Sequence, residues 1–106
     1  MALAKVSASR SKGTYESSGV VTATGNITTT SCIIGAFVVI DDGTNAATIE
    51  IYDSADTSGK KTIKWVTGGD GLPTGWEGIE LKHSTAVHVV ITTVGTAEVI
   101  VLYRED

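Results

Sequence analysis

Two stretches of the chain carry almost no polar character: residues 32–40, and the C-terminal pair 87–91 and 99–103. A strand with one wet face alternates apolar and polar residues. Within residues 32–40 one alternating set is Ile33, Gly35, Phe37 and Val39, and the other is Cys32, Ile34, Ala36, Val38 and Ile40. Neither set is polar. This strand is therefore expected to be covered on both faces, by the second sheet of a sandwich on one side and by a further partner on the other. Gly35 in its middle predicts a bulge or a close approach by another backbone.

The other elements follow from the same periodicity. Residues 20–24 and 27–30 are β-branched runs around Gly25-Asn26, a hairpin signal. Asp42-Gly43 turns the chain after the long strand. In residues 47–53, Ile49 and Ile51 face one side while Thr48, Glu50 and Tyr52 face the other. Residues 54–59 form a polar turn, and 60–66 the next strand. Residues 67–75 are the longest loop, with Gly68, Gly69, Gly71 and Pro73. Residues 76–82 alternate again, and 87–92 with 97–103 predict a hairpin closed by Val94-Gly95-Thr96. No stretch has helical period with caps. About eight short strands at turn spacings of roughly 8–12 residues predict an all-β, single-domain β-sandwich, jelly-roll-like and antiparallel.

Composition agrees with a β domain: 42% hydrophobic, 19% charged, and 12 glycines against one proline in 106 residues. That length makes one domain able to bury roughly 60–68% of its unfolded surface. The net charge of −4 argues against general nucleic-acid affinity. The single cysteine, Cys32, has no internal disulfide partner and reads as a small buried hydrophobe, as suits a reducing cytosol. Residues 1–13 contain no apolar core of signal-peptide length, and no stretch approaches the roughly 18–20 apolar residues of a membrane helix. A soluble protein that meets no membrane is expected. The first residues hold Lys5, Arg10 and Lys12 and no acid. Residues 1–14 are thus set apart as a basic N-terminal arm, expected to be frayed or to pair at a sheet edge, with docking on an acidic neighbouring subunit as the alternative, and residues 15–106 as the sandwich domain.

The candidate chemistry fails on spacing. A calcium loop starting at Asp53 would place Ala55 and Ser58 where a ligand and a glycine are required. Gly59-Lys60 lacks the earlier glycine and following helix of a phosphate loop. His83 and His88 have no third and fourth metal ligand at a suggestive spacing, and both are expected at the surface or rim. His88 has the opposite parity to Val87, Val89 and Ile91, which points it toward a subunit interface with some pH sensitivity. No serine sits on a nucleophile elbow, and Asp41-Asp42 lie at a turn that points them apart. No catalytic residue, metal or cofactor is assigned, and a non-enzymatic protein is expected. Trp65 and Trp76 are expected to pack in the core or an interface; the alternative is a sugar-binding platform carried by Trp76.

The order of pieces is GVVTAT at 19–24, IIGAFVVI at 33–40, ATIEIYDS at 47–54, a glycine-rich loop, GIEL at 78–81, VHVVI at 87–91 and VIVLYR at 99–104. This order resembles small β-sandwich virion proteins of tailed bacteriophages, including capsid decoration (cement) proteins, over roughly residues 19–104. The resemblance implies a jelly-roll-like homotrimer, made in the host cytoplasm and carried on the virion. There it would sit over junctions between major capsid subunits or contact another virion protein. The residues expected to self-associate are Ile34, Val38, Ile40, His88, Ile100 and Leu102, opposite a core set of Phe37, Val39, Val99 and Val101. Lys5, Arg10 and Lys12 are expected to contact the capsid. The alternative function is a glycan- or receptor-binding module, such as a tail-fibre tip, with Trp76 and the 67–75 loop at its site.

Overall fold

The computed structural model describes residues 14–106, and all eight of its elements are strands. They are β1 (Glu16–Ser17), β2 (Gly25–Thr28), β3 (Cys32–Asp41), β4 (Thr48–Asp53), β5 (Lys60–Val66), β6 (Thr74–His83), β7 (Val87–Thr92) and β8 (Ala97–Glu105). Pairing is antiparallel throughout and nested: β1 with β8, β2 with β7, β3 with β6 and β4 with β5. Alternate nested pairs fall on alternate sheets. One sheet has the order β1-β8-β3-β6 and the other β2-β7-β4-β5. This is the strand order of a jelly roll, as the spacing of short strands predicted.

The core lies between the sheets. Ile34, Phe37 and Val39 of β3 and Val99 and Val101 of β8 meet Ile49 and Ile51 of β4 and Val87 and Val89 of β7, all essentially solvent-free. Phe37 packs edge-on against Trp65 of β5, with ring centroids 5.4 Å apart at 80°. The alternation read for 47–53 holds, with Ile49 and Ile51 inside and Glu50 and Tyr52 outside.

The central strand departs from simple alternation. Between Ile34 and Ala36 the register with β8 moves by one residue, from Tyr103 to Leu102, and Gly35 is the extra residue. A bulge of one residue reverses the face of everything after it. Cys32 and Ile34 therefore point inward before the bulge, and Phe37, Val39 and Asp41 point inward after it. Ile34 was expected on an outer, self-associating face and is instead wholly buried in the core. The expected approach at Gly35 is also present, but it comes from a side chain: a Cβ at Gly35 would collide with the ring of Tyr15. β6 answers the bulge with its own irregularity, in which Gly78 (φ 71°) and Glu80 (φ 46°) adopt left-handed backbone.

Gly25-Asn26 is not a hairpin turn. Both residues lie inside β2, paired with Val89 and His88 of β7, and the 20–24 run contributes only the isolated bridge Val21–Val99. The tertiary partners β7 and β8 override the local turn signal.

The bulge makes a contrast that simple alternation does not. Ile34→Ala is expected to cost about 2–5 kcal/mol, the range for truncating a buried aliphatic side chain. Val38→Ala, on the same sequence parity, is expected to stay within about 0.5 kcal/mol. Urea denaturation of the two variants checks this, and equal losses would overturn the face assignment.

Candidate functional site

The outward side chains of the β1-β8-β3-β6 sheet form rows across three strands. Ala36 lies between Leu102 and Glu77, Val38 between Ile100 and Gly75, and Ile40 beside Glu98. Val38 is 37% exposed and Leu102 39%, whereas Ala36, Ile40 and Ile100 are half-buried. Four of the residues expected to self-associate, Val38, Ile40, Ile100 and Leu102, are thus brought together on one open face. Ile34 is not among them. His88 lies on the outside of the opposite sheet, where its Nδ1 is 2.8 Å from Asn26 Oδ1 and its ring is 6.5 Å from that of Tyr52. It cannot share a contact surface with Val38. Lys5, Arg10 and Lys12 lie outside the described residues.

Small residues hollow this face. Gly75 contributes no side chain and Ala36 only a methyl, so a shallow depression of about 340 Å³ opens between Val38, Leu102, Trp76 and Glu77. Gly75 is confined to this role, because a Cβ there would run into the carbonyl of Phe37. Trp76 pairs with Phe37 across the ladder, so its parity is inward, yet it sits on the edge strand and remains 57% exposed. Its ring lies over that of Trp65 at 6.5 Å and 35°, closing the open side of the sandwich. Trp76 is therefore both packed and exposed. Glu77 and Glu98 flank the apolar rows, and neither has a hydrogen-bond or ion-pair partner among the described residues.

The other end of the face is already occupied. Tyr15 crosses from β1 over Gly35, and its hydroxyl donates to Glu80. Arg104 Nη2 donates to the other oxygen of Glu80 at 2.8 Å, and the guanidinium carbon lies 5.7 Å from the Tyr15 ring centre. Glu80 carries these contacts on a left-handed backbone (φ 46°), a conformation that costs on the order of 1–3 kcal/mol. Gly35 signalled a close neighbour; nothing in the sequence signalled Tyr15 as that neighbour or the backbone of Glu80.

Inside the sandwich, one cluster invites a nucleophile reading. Cys32 and His83 face each other across β3 and β6, and Asp53 Oδ1 lies 4.0 Å from His83 Nδ1. His83 was expected at the rim and is instead fully buried. Its Nδ1 is 2.7 Å from the carbonyl oxygen of Ala86, which can only accept, so Nδ1 carries the proton. Its Nε2 is 2.8 Å from the Thr62 hydroxyl. Both ring nitrogens are committed away from Cys32, and burial, with Asp53 and Asp106 nearby, pushes the thiol up to about 11. The cluster holds a packed thiol and a structural imidazole, with no activated nucleophile. The described residues contain no group of three or more His, Cys, Asp or Glu side chains placed to hold a metal ion.

Aspartates fasten the loops. Asp41 accepts from the Thr67 hydroxyl at 2.5 Å and from the amides of Gly43, Gly69 and Gly71 at 2.7–3.0 Å. This joins the 42–47 turn to the glycine-rich loop. Asp42 accepts from the amides of Asn45, Thr44 and Thr96 and from the Asn45 side chain. Asp53 accepts from the amides of Ser84, Thr85 and Ala86. Asp41 is held below the usual carboxylate range, first by Thr67 and then by the glycine amides. Asp42 is held lower still by Asn45 and Thr44. Burial works against Asp53, but the three amides outweigh it and its pKa is also lowered. The adjacent acids Asp41 and Asp42 diverge as the turn predicted, and each serves a loop.

A carboxyl group whose pKa is lower folded than unfolded stabilises the fold above its unfolded pKa of about 3.9, and that stability is lost as pH falls toward the folded value. The melting temperature is expected to be nearly flat from about pH 7 to 5 and to fall below about pH 4. Asp41→Asn should lower it clearly at pH 7 and much less at pH 3. Circular dichroism melts across this range check the sign, and an equal deficit at both pH values would refute it.

Compared with known proteins, the chain matches no family model, no curated protein sequence and no solved structure.

Proposed function

We propose that this protein is a non-enzymatic structural subunit of a phage virion, a capsid decoration protein that acts as a homotrimer. The observation that carries the proposal is the open apolar face of the β1-β8-β3-β6 sheet. Val38 and Leu102 stand in solvent beside Ile100, Ile40 and Ala36 on a rigid ladder, rimmed by polar residues. Contiguous apolar surface of this kind marks an interaction site. An interface of standard size buries about 800 Å² per partner. Such contacts, repeated over a shell, would oppose its expansion under internal pressure. Loops fastened by Asp41, Asp42 and Asp53 support a building block that keeps its shape on assembly. The major capsid protein, or another virion protein, is the second partner in this reading, and the particle is its location.

The absolute mass in solution tests the proposal. Light scattering on a sizing column should give a species three times the 11.0 kDa chain that persists on dilution. Val38→Glu with Leu102→Glu should reduce it to a monomer that still unfolds cooperatively, because both side chains are exposed in the single chain. A wild-type monomer at all concentrations would remove the self-association reading.

A second reading rests on Trp76. Its exposed ring beside the depression offers a flat surface for a sugar ring, with Glu77 as a hydrogen-bond acceptor. A glycan- or receptor-binding module should show saturable binding on a glycan panel, lost in Trp76→Ala. A panel without saturable binding sets this reading aside.

A further inference from the structure

Asp-Gly pairs are prone to spontaneous isomerisation, because glycine has no Cβ to keep its amide nitrogen away from the preceding side chain. The sequence contains this pair twice, at Asp42-Gly43 and Asp70-Gly71. The fold requires both glycines. Gly43 (φ 86°) and Gly71 (φ 74°) take left-handed backbone, and the two turns pack so closely that a Cβ at Gly71 would lie 3.2 Å from the Cα of Gly43. It also employs both aspartates. Asp42 fastens the 42–47 turn, and Asp70 Oδ1 accepts from the Leu72 amide at 3.2 Å.

A single oxygen meets both reactive amides. Asp41 Oδ1 accepts from the amide of Gly43 at 3.0 Å and from that of Gly71 at 2.7 Å. The Asp41 side chain is buried, and its other oxygen is held by the Thr67 hydroxyl and the Gly69 amide. The Gly43 bond is local, two residues along the chain. The Gly71 bond joins positions 30 apart and exists only because the tertiary structure brings the turns together.

Isomerisation begins when the glycine nitrogen attacks the Cγ of the preceding aspartate. The N–Cγ bond forms, and the protonated carboxyl loses its hydroxyl, which leaves with the amide proton as water. Water then adds to the aspartate main-chain carbonyl carbon, the C–N bond there breaks, and the chain runs on through the side chain with no net change in atoms. The first step needs the amide nitrogen to release its proton and turn toward Cγ. A charge-assisted hydrogen bond to a buried carboxylate holds the N–H in place against both.

We infer that Asp41 shields both Asp-Gly pairs from this reaction, and that Asp70 is the site at which the chain isomerises when the shield is lost. The two sites differ in what remains without Asp41. The Asp42 carboxylate keeps four donors, the amides of Thr44, Asn45 and Thr96 and the Asn45 side chain. Asp70 is exposed and keeps the Leu72 amide. Isomerised, it would add one carbon to the backbone of the glycine-rich loop, whose far end, from Pro73 to Gly75, lines the depression. This protection is independent of any assembly.

The test ages the full-length chain at neutral pH and digests it with trypsin. The peptides covering residues 65–82 and 13–60 separate the two sites, and isoaspartate in each is read by methyltransferase labelling and mass spectrometry. Asp41→Ala should raise isoaspartate at Asp70 about tenfold or more, the factor that corresponds to losing one hydrogen bond to a charged group. The rise at Asp42 should be smaller. Asp53→Ala removes a loop carboxylate that touches neither pair, and should leave both rates near those of the wild type. In the wild type, the Gly43 and Gly71 amide protons should exchange slowly, and unfolding in urea should speed isomerisation at both sites. That comparison decides the matter if Asp41→Ala does not fold. Equal or slower isomerisation in a folded Asp41→Ala means that Asp41 is idle or acts as a base, and overturns the inference. So does an equal rise in Asp53→Ala, or a wild-type rate at Asp70 that folding does not slow.

Discussion

At Gly35 the ladder between β3 and β8 takes in one extra residue, and every β3 side chain beyond it changes face. Most of the molecule's organisation depends on this insertion. It sends Ile34 and Phe37, three apart, into the same core, and it turns Ala36, Val38 and Ile40 outward onto a common surface with Ile100 and Leu102. It also leaves a gap above the glycine that the Tyr15 ring fills. Without the insertion, one regular alternation would carry Ile34 and Val38 to the same side.

The loops are held by buried or amide-rich carboxylates. Asp41 links the end of β3 to the glycine-rich loop through three donors and to its own turn through Gly43, and Asp53 closes the turn between β6 and β7 through three amides. His83 extends the second arrangement inward to Thr62. These acids and the histidine are the residues that a search for catalysis would single out. Each is spent on backbone or neighbouring side chains, and the open surface is left to hydrophobic contact and to Glu77 and Glu98.

The amino-acid sequence by itself determined the class of fold. Alternation in 47–53 and 76–82 and the turn residues between strands point to a chain of short strands, and the absence of capped helical period leaves only sheets to build. The division into two sets, Phe37, Val39, Val99 and Val101 against Val38, Ile40, Ile100 and Leu102, was legible for the same reason. Side chains two apart on a strand share a face, and β-branched and aromatic residues favour it. What the pattern could not contain is the pairing between distant strands. Whether Gly35 is an extra residue depends on the register with Tyr103 and Leu102, so the tertiary structure alone decided that Ile34 belongs to the core. The same holds for Gly25-Asn26, drawn into β2 by β7, and for His83, buried by partners at Thr62 and Ala86. Trp76 is inward by parity and exposed by its place on an edge strand. Local periodicity reports two faces; only the closed ladders decide which of them meets water.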